Sequence, residues 1–227
     1  MTLTIIMPAL DEAAEIEATL ATLAPYRARG VEVILADGGS SDRTLELARP
    51  LADRVIVAPR GRAAQMNAGA AAASGDVLLF LHADTRLPDN ADCLVLDGVA
   101  SSGRNWGRFD VRFDDGGLLA FVALMMNWRS RLTGIATGDQ ALFVTRATFE
   151  CVGGFPAIAL MEDVVLSAKL KHISKPLALH FRVTTSARRW RKHGALRTVL
   201  LMWRLRLAFF LGADPAKLAR AFGYDAK

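Results

Sequence analysis

The stretch Val77-Leu78-Leu79-Phe80-Leu81-His82-Ala83-Asp84 decides how this chain is read. Five apolar residues in a row, preceded by the turn-forming pair Gly75-Asp76, have the pattern of a strand buried on both faces, as in a parallel sheet under helices. The run ends in polarity. In extended chain His82 and Asp84, two apart, project to one side, at the carboxyl edge where open α/β sheets place their ligands. A metal ion or a phosphate would be held there; the plainer reading is that Asp84-Thr85 only starts a turn before Pro88.

Outward from this strand, toward the N-terminus, strands and helices alternate. Thr2 to Met7 reads as a strand closed by Pro8-Ala9-Leu10, with Asp11 capping a helix whose stripe is Ala13, Ile16, Leu20 and Leu23. Val31 to Ala36 is a second strand, and Asp37-Gly38-Gly39-Ser40-Ser41-Asp42 a glycine turn from which Ser41 or Asp42 can cap a helix through Ala48. Arg54 to Val57 is a third strand and Gly61 to Ala73 an alanine-rich helix. This alternation predicts right-handed crossovers and an α/β fold with a mostly parallel central sheet flanked by helices.

Beyond Pro88 the pattern loosens. Helices are expected over Asp92 to Val99, Leu118 to Trp128 (apolar nearly all round), Arg146 to Val152, Glu162 to Lys171 and Arg197 to Leu211. Trp106 to Phe113 alternates like an exposed antiparallel strand, and Ala141 to Val144 and Leu177 to Val183 are further strands. With no repeat, low-complexity tract or linker, residues 1–227 are expected to form one domain.

With 227 residues and 52% hydrophobic content, the chain can bury a full core, which excludes a disordered protein. Cys93 and Cys151, far apart and without a CxxC, argue against a zinc cluster or disulfide framework and are expected as inert core thiols in a reducing, cytoplasmic setting. The apolar opening, Met1 to Leu10, is too short for a secretory core, and no window offers eighteen charge-free apolar residues. A membrane span is therefore not expected, whereas peripheral contact at the inner face of a membrane stays open. The net charge of +5 is unevenly placed: Val164 to Ala213 holds eleven Lys or Arg and no Asp or Glu. That asymmetry suits an anionic partner (a diphosphate, an acidic lipid surface or nucleic acid), or it is a solvated basic face. In the terminal helix Val199, Met202, Trp203, Leu207 and Phe210 fall near one face, with Arg197, Arg204 and Arg206 away from its centre. Such a helix can pack on the sheet, form the seam of a homodimer, or lie in an anionic bilayer surface.

Several segments taken in order form a recognisable set: Ile5-Ile6-Met7-Pro8-Ala9-Leu10-Asp11-Glu12, Leu35-Ala36-Asp37-Gly38-Gly39-Ser40-Ser41-Asp42-Arg43-Thr44, Gly61 to Gly69 with Gly75-Asp76, His82-Ala83-Asp84-Thr85, Gly138-Asp139-Gln140, Met161-Glu162-Asp163 and Ser186-Ala187-Arg188-Arg189-Trp190. The set resembles the family 2 glycosyltransferases, enzymes of the Rossmann-like nucleotide-diphospho-sugar transferase (GT-A) fold, and within them a bacterial subgroup with His-Ala-Asp in place of the D-x-D motif. The resemblance spans nearly the whole chain. It implies a nucleotide-binding half over 1–100, an acceptor and catalytic half over 101–190, and an amphipathic C-terminal segment over 191–227.

Carried over residue by residue, the resemblance makes Asp37 a contact to the base or ribose of a nucleotide, with Pro8, Ala9, Glu12, Arg62, Asn67, His82, Ala83 and Asp84 lining the same pocket. It makes Asp84, with His82, a holder of a divalent cation, Mn2+ or Mg2+, that bridges the two phosphates; an imidazole in place of the first carboxylate favours manganese. Asp163, beside Glu162, is implied as the base that deprotonates an acceptor hydroxyl, the two carboxylates raising one another's cost of ionisation. Asp139 and Gln140 fall near the acceptor, and Arg188, Arg189 and Trp190 on the acceptor or diphosphate. The implied reaction moves one sugar, with inversion, from a nucleotide-diphosphate sugar, UDP-linked, to a hydroxyl that is unassigned and could be lipid-linked. A nucleotidylyltransferase would need a glycine-rich loop after the first strand, and a dinucleotide oxidoreductase a GxGxxG; neither is present. A membrane- or nucleic-acid-binding module without catalysis would leave the placement of Asp37, Asp84 and Asp163 without a purpose, and no nucleic-acid partner is expected.

Overall fold

The computed structural model describes residues 1–223, so the last four residues of the 191–227 segment lie outside the described residues. β1 (Leu3–Ala9) and β2 (Glu32–Asp37) are buried along almost their whole length, and pair in parallel with Ile6 opposite Ile34. Between them lie α1 (Ile16–Ala21) and α2 (Ala24–Ala28); after them come α3 (Thr44–Ala48), β3 (Arg54–Val57), α4 (Arg62–Ala72) and β4 (Val77–Phe80). The second part of the chain runs through β5 (Thr85–Arg86), α5 (Ala91–Ser102), β6 (Trp106–Phe113), α6 (Leu118–Thr133), a 3-10 turn at Gly138–Gln140, β7 (Phe143–Thr145), α7 (Arg146–Cys151), α8 (Glu162–Lys171), β8 (Leu177–Thr185), α9 (Arg188–His193), α10 (Ala195–Phe210) and α11 (Pro215–Phe222).

Among the described residues the strands form one sheet in the order β3-β2-β1-β4-β7-β6-β8-β5. β3, β2, β1 and β4 are parallel, β7 is reversed against both β4 and β6, β8 runs parallel to β6, and β5 is reversed against β8. The mostly parallel, doubly covered sheet read from the apolar runs is therefore present. Alternation along each strand sorts the core into two layers. Ile5, Met7, Val33, Leu35 and Leu79 meet Ile16 and Leu20 of α1, Val95 of α5 and Leu119 of α6; Ile6, Ile34, Leu78 and Phe80 meet Met66 of α4, Phe149 of α7 and Leu166 of α8. Each such fully buried side chain contributes roughly 1.5–3 kcal/mol by leaving water. Gly69 lets α4 lie close on β1, since a Cβ there would stand 2.3 Å from Cγ2 of Ile6.

Several expectations are corrected. β4 ends at Phe80, so His82 and Asp84 lie in the following loop and not on one face of a strand. Asp11 caps no helix: it takes a left-handed conformation (φ 52°), and its carboxylate accepts from the backbone N–H of Ser41 at 2.7 Å. β6 is not an exposed strand, because it lies inside the sheet with Arg108 and Asp110 buried as an ion pair. Cys93 and Cys151 are exposed. α6 extends to Thr133 and, instead of being buried all round, leaves Phe121, Met125, Trp128 and Leu132 in solvent. α2, β5, α9 and α11 are short elements that the sequence reading did not place.

Candidate active site

The first four strands end on one edge, and the loops leaving that edge supply the carboxylates. β1 delivers Pro8 and Ala9, both buried, and the chain then turns at Asp11 to Glu12, whose backbone N–H donates to the Thr44 hydroxyl at 2.8 Å. β2 delivers Asp37, which is fully buried, its Oδ2 accepting from the backbone N–H groups of Gly39 (2.8 Å) and Ser40 (2.9 Å). This carboxylate closes its own glycine turn and so fixes the shape of the loop that leaves β2. Gln65 of α4 was not anticipated. Its Nε2 donates to the carbonyls of Ala9 (2.6 Å) and Ala36 (2.9 Å), strapping together the ends of β1 and β2 beneath the loops.

β4 delivers Leu81-His82-Ala83-Asp84. Ala83 is buried, and β5 pins the loop's far side by pairing with β8. Among the described residues the carboxylate of Asp84 receives only a long hydrogen bond from the Thr85 hydroxyl, 3.4 Å, which leaves its oxygens open for a ligand. His82 has a partner of its own. Its Nδ1 lies 3.3 Å from Asp139 Oδ1, and its Nε2 lies 2.4 Å from where a Cβ on Gly138 would stand, so Gly138 is required for the close approach of the ring. The imidazole thus pairs with Asp139 and also lines the cavity it shares with Glu162 and Asp163.

Asp163 stands at the start of α8. Its Oδ2 accepts from the backbone N–H of Gly138 at 2.7 Å and its Oδ1 from that of Val164 at 2.7 Å. Burial, opposed by these two bonds and assisted by the charge of Asp139, raises its pKa above the usual Asp range. Glu162, 6% exposed, is pushed up to about 7, by burial first and by Asp163 second. Burial resists the ionisation of Asp139, but its bond to and the charge of His82, with Arg62 and Arg189 beyond, outweigh it and hold its pKa low. Glu12 has a raised pKa, chiefly from burial against the pull of Arg188. Neighbouring carboxylates thus have their proton affinities pushed apart, the pattern that acid-base sites use. Ala141 (φ 46°) and Met161 (φ 70°) hold left-handed backbone on either side of this group, and such non-glycine strain is held only where the surroundings fix it.

Two expected site residues, Asn67 and Gln140, bond within the fold. Asn67 accepts from the N–H of Phe155 and donates to its carbonyl, both at 2.9 Å, and so staples α4 to the turn after α7 without lining a pocket. Gln140 is fully buried, accepting from the Thr137 N–H at 3.2 Å. Trp190, half-buried, meets the ring of Phe113 edge-on, with centroids 5.2 Å apart. Arg188 reaches the site through Glu12 (3.3 Å), while Arg189 lies over the ring of Phe222 at 4.1 Å and adds its charge to Asp139. Arg62 acts on Glu12, Asp139 and Glu162 by its charge. Sequence reading missed Arg129 of α6, whose Nη1 is buried without a hydrogen-bond partner among the described residues and whose pKa is lowered by burial, against the opposing charge of Asp163; an arginine in a mostly apolar helix was the available signal.

A small cavity lined by His82, Gly138, Glu162 and Asp163 marks the centre of this constellation. A wider cleft of about 510 Å³, between Pro88, Arg112, His180 and Arg182, opens on the far edge of the sheet and holds none of these carboxylates. No group of three or more His, Cys, Asp or Glu among the described residues gathers as a ready-made metal site. The donor set fits a hard cation only in part: Asp84 offers oxygen, and the remaining ligands would come from a diphosphate and water, the manner in which magnesium-like ions are commonly held.

Comparison with known proteins places this arrangement. Over 98 residues, 40% of the chain, it is 39% identical to a PGL/p-HBAD biosynthesis glycosyltransferase of Mycobacterium tuberculosis, and the match spans only 38% of that relative's length. Its fold is that of Staphylococcus aureus TarS (TM-score 0.66, 16% identity, 82% of this chain and 61% of that one), whose structures include one with UDP-GlcNAc. It is also that of a mannosyltransferase of Pyrobaculum calidifontis solved with GDP-Man and Mn2+ (TM-score 0.63, 20% identity, 98% and 69%). These likenesses establish the GT-A fold read from the sequence. The family model "Glycosyl transferase family 2" matches residues 4–155, and by that match, with the carboxylates gathered on its sheet edge, the chain belongs to glycosyl transferase family 2.

Proposed function

We propose that this chain transfers one glycosyl unit from a nucleoside-diphosphate sugar, UDP-linked, to an acceptor hydroxyl with inversion, and that residues 1–223 work as one domain in doing so. The observation that carries the reading is Asp163, a half-buried carboxylate of raised proton affinity beside the Asp139–His82 pair at the carboxyl edge of the sheet. Two backbone N–H groups fix one lone pair on each of its oxygens, and the remaining lone pairs can accept the acceptor's O–H. As the acceptor oxygen attacks the anomeric carbon, its proton passes to Asp163 and the bond to the nucleoside diphosphate breaks on the opposite side. Glu162, protonated up to about pH 7, adds no second negative charge beside that base. Asp139, kept ionised by His82, and the charge of Arg129 set the potential around it.

On the donor side, Asp37 and Gln65 hold the loop against which the nucleotide would lie, Pro8, Ala9 and Glu12 form its neighbouring wall, and Arg188 is held over that wall through Glu12. A divalent cation, Mn2+ or Mg2+, held by Asp84 would neutralise charge growing on the leaving diphosphate. UDP with Mn2+ should bind the wild-type protein in calorimetry, and Asp84→Ala should lose the metal-dependent part of that affinity. Asp163→Asn should bind UDP as before, yet release UDP from a UDP-sugar roughly 10²–10⁴ times more slowly, with water or a supplied alcohol as acceptor. An Asp163→Asn protein that turns over at the wild-type rate refutes the base.

A further inference from the structure

α6 and α10 carry apolar side chains on the wrong side. Of the sixteen large hydrophobic residues exposed among the described residues, twelve lie on these two helices or on Leu211, one residue past α10. On α10 they are Leu196, Leu200, Trp203, Leu207 and Phe210, between 62% and 72% exposed, at spacings of three and four that set them in one line. At 3.6 residues per turn Arg197 and Arg204 stand roughly 80–100° to one side of that line and Arg206 roughly 80° to the other. The opposite face is occupied: Leu205 is buried with Leu160, Met161 and Val164 beside the catalytic carboxylates and with Leu218 of α11. Of the three fates open to this helix, packing on the sheet is therefore removed. The helix rests on the domain by one apolar face and shows a second one outward, with arginines only along the borders.

α6 repeats the arrangement with Phe121, Met125, Trp128 and Leu132 exposed. The two helices are tied together at both ends. Arg191, just before α10, bridges to Asp114 (2.9 Å) and Asp115 (3.2 Å) at the entry to α6, and Ile135, just past α6, joins the cluster of Leu201 and Leu205.

We infer that this face seats on the surface of an anionic lipid bilayer. Charge decides the occupant. A twofold pairing with a second copy would set the same patch against itself, and so bring arginine borders together in a segment, 164–213, that has eleven Lys or Arg and no acidic residue. Anionic headgroups complement those borders, arginine stems extend along apolar surface to reach them, and tryptophan suits the boundary between acyl chain and water. No helix among the described residues is long and apolar enough to cross a membrane, so the contact is peripheral. The docking does not depend on the transferase reading.

The test is co-sedimentation of the whole protein with phosphatidylcholine vesicles, with and without phosphatidylglycerol. The wild type should partition at least about tenfold more onto the anionic vesicles at low salt and lose that preference as salt rises. Arg197→Glu with Arg204→Glu should abolish the preference, and Trp203→Ser with Leu207→Ser should weaken binding to both lipids; both variants alter exposed positions, so thermal melting should stay near wild type. The emission of exposed Trp128 and Trp203 should shift to the blue on binding. Equal partitioning onto neutral and anionic vesicles overturns the inference. So does a dimer in sedimentation equilibrium that Trp203→Ser with Leu207→Ser splits into monomers, which would assign the face to a second copy.

Discussion

Glu162 and Asp163 are neighbours in sequence and share one buried corner, and that proximity has a thermodynamic signature. An ordinary glutamate loses its proton near 4.5, whereas Glu162 keeps it up to about 7 in the folded chain. Between those values the unfolded chain binds fewer protons than the folded one, so stability falls as pH rises through that window and levels off above it. At about 1.4 kcal/mol per pH unit the loss is on the order of 3 kcal/mol. Glu162→Gln should flatten that decline in urea titrations taken between pH 4.5 and pH 7.5; an unchanged slope would move the proton elsewhere. That a carboxylate pair matters at this position was legible from the ordered motifs of the sequence. The roles of Asn67 and Gln140 were not, because composition and spacing do not show which way a polar side chain bonds: the amide of Asn67 is satisfied by the backbone of Phe155, 88 residues away. The pairing of His82 with Asp139 was hidden for the same reason, since only the fold brings the two together.

Among the elements, β6 shows where periodicity stops being informative. Its alternation, Trp-Gly-Arg-Phe-Asp-Val-Arg-Phe, reads as one wet face, but Arg108 and Asp110 on that face neutralise each other, with Arg131 joining at 2.6 Å from Asp110. Buried charge that is paired within the fold looks like surface charge in a sequence. The strands built on apolar runs, β1, β2 and β4, left no such ambiguity, and Glu162–Lys171 and Arg54–Val57 fall where their patterns put them. β6 has a second feature no pattern announces. β7 pairs with it only at Trp106 and Gly107, and past that point the side chain of Asn127, from α6, takes the place of a strand: it accepts from the N–H of Val111 at 2.8 Å and donates to the Val111 carbonyl at 2.9 Å. Asn127→Leu keeps the size and strands both backbone groups in a dry setting. At roughly 1–3 kcal/mol for each unsatisfied group it should cost about 2–4 kcal/mol in equilibrium unfolding, and a loss below about 0.5 kcal/mol would show that water replaces the amide.

For the whole molecule, sheet order and chain order differ sharply. β1 is joined to β4, with Leu3 opposite Val77, and β6 to β8, with Val111 opposite Val183, so most of the sheet is closed by pairings distant in sequence. Such topologies fold slowly, because loop-closure entropy must be spent before the contacts return it. The parallel half, β1 to β4, closes within the first part of the chain, and pulsed hydrogen exchange during refolding should find amides of Ile34 and Leu79 protected before those of Val183 and Thr185. The reverse order would place the nucleus in the second half.

β5 is the extreme case. Thr85 and Thr185 meet across one hundred residues, and Ser186 donates to the carbonyl of Asp84 itself. On a ribosome adding 5–20 residues per second, Asp84 leaves the exit tunnel roughly 5–20 s before the strand that holds its loop in place. For that interval the nascent chain can own a finished parallel sheet and still have no fixed position for Asp84, the carboxylate proposed to hold the cation. Codon usage and chaperone occupancy between these two points then bear on how much of each newly made molecule becomes active.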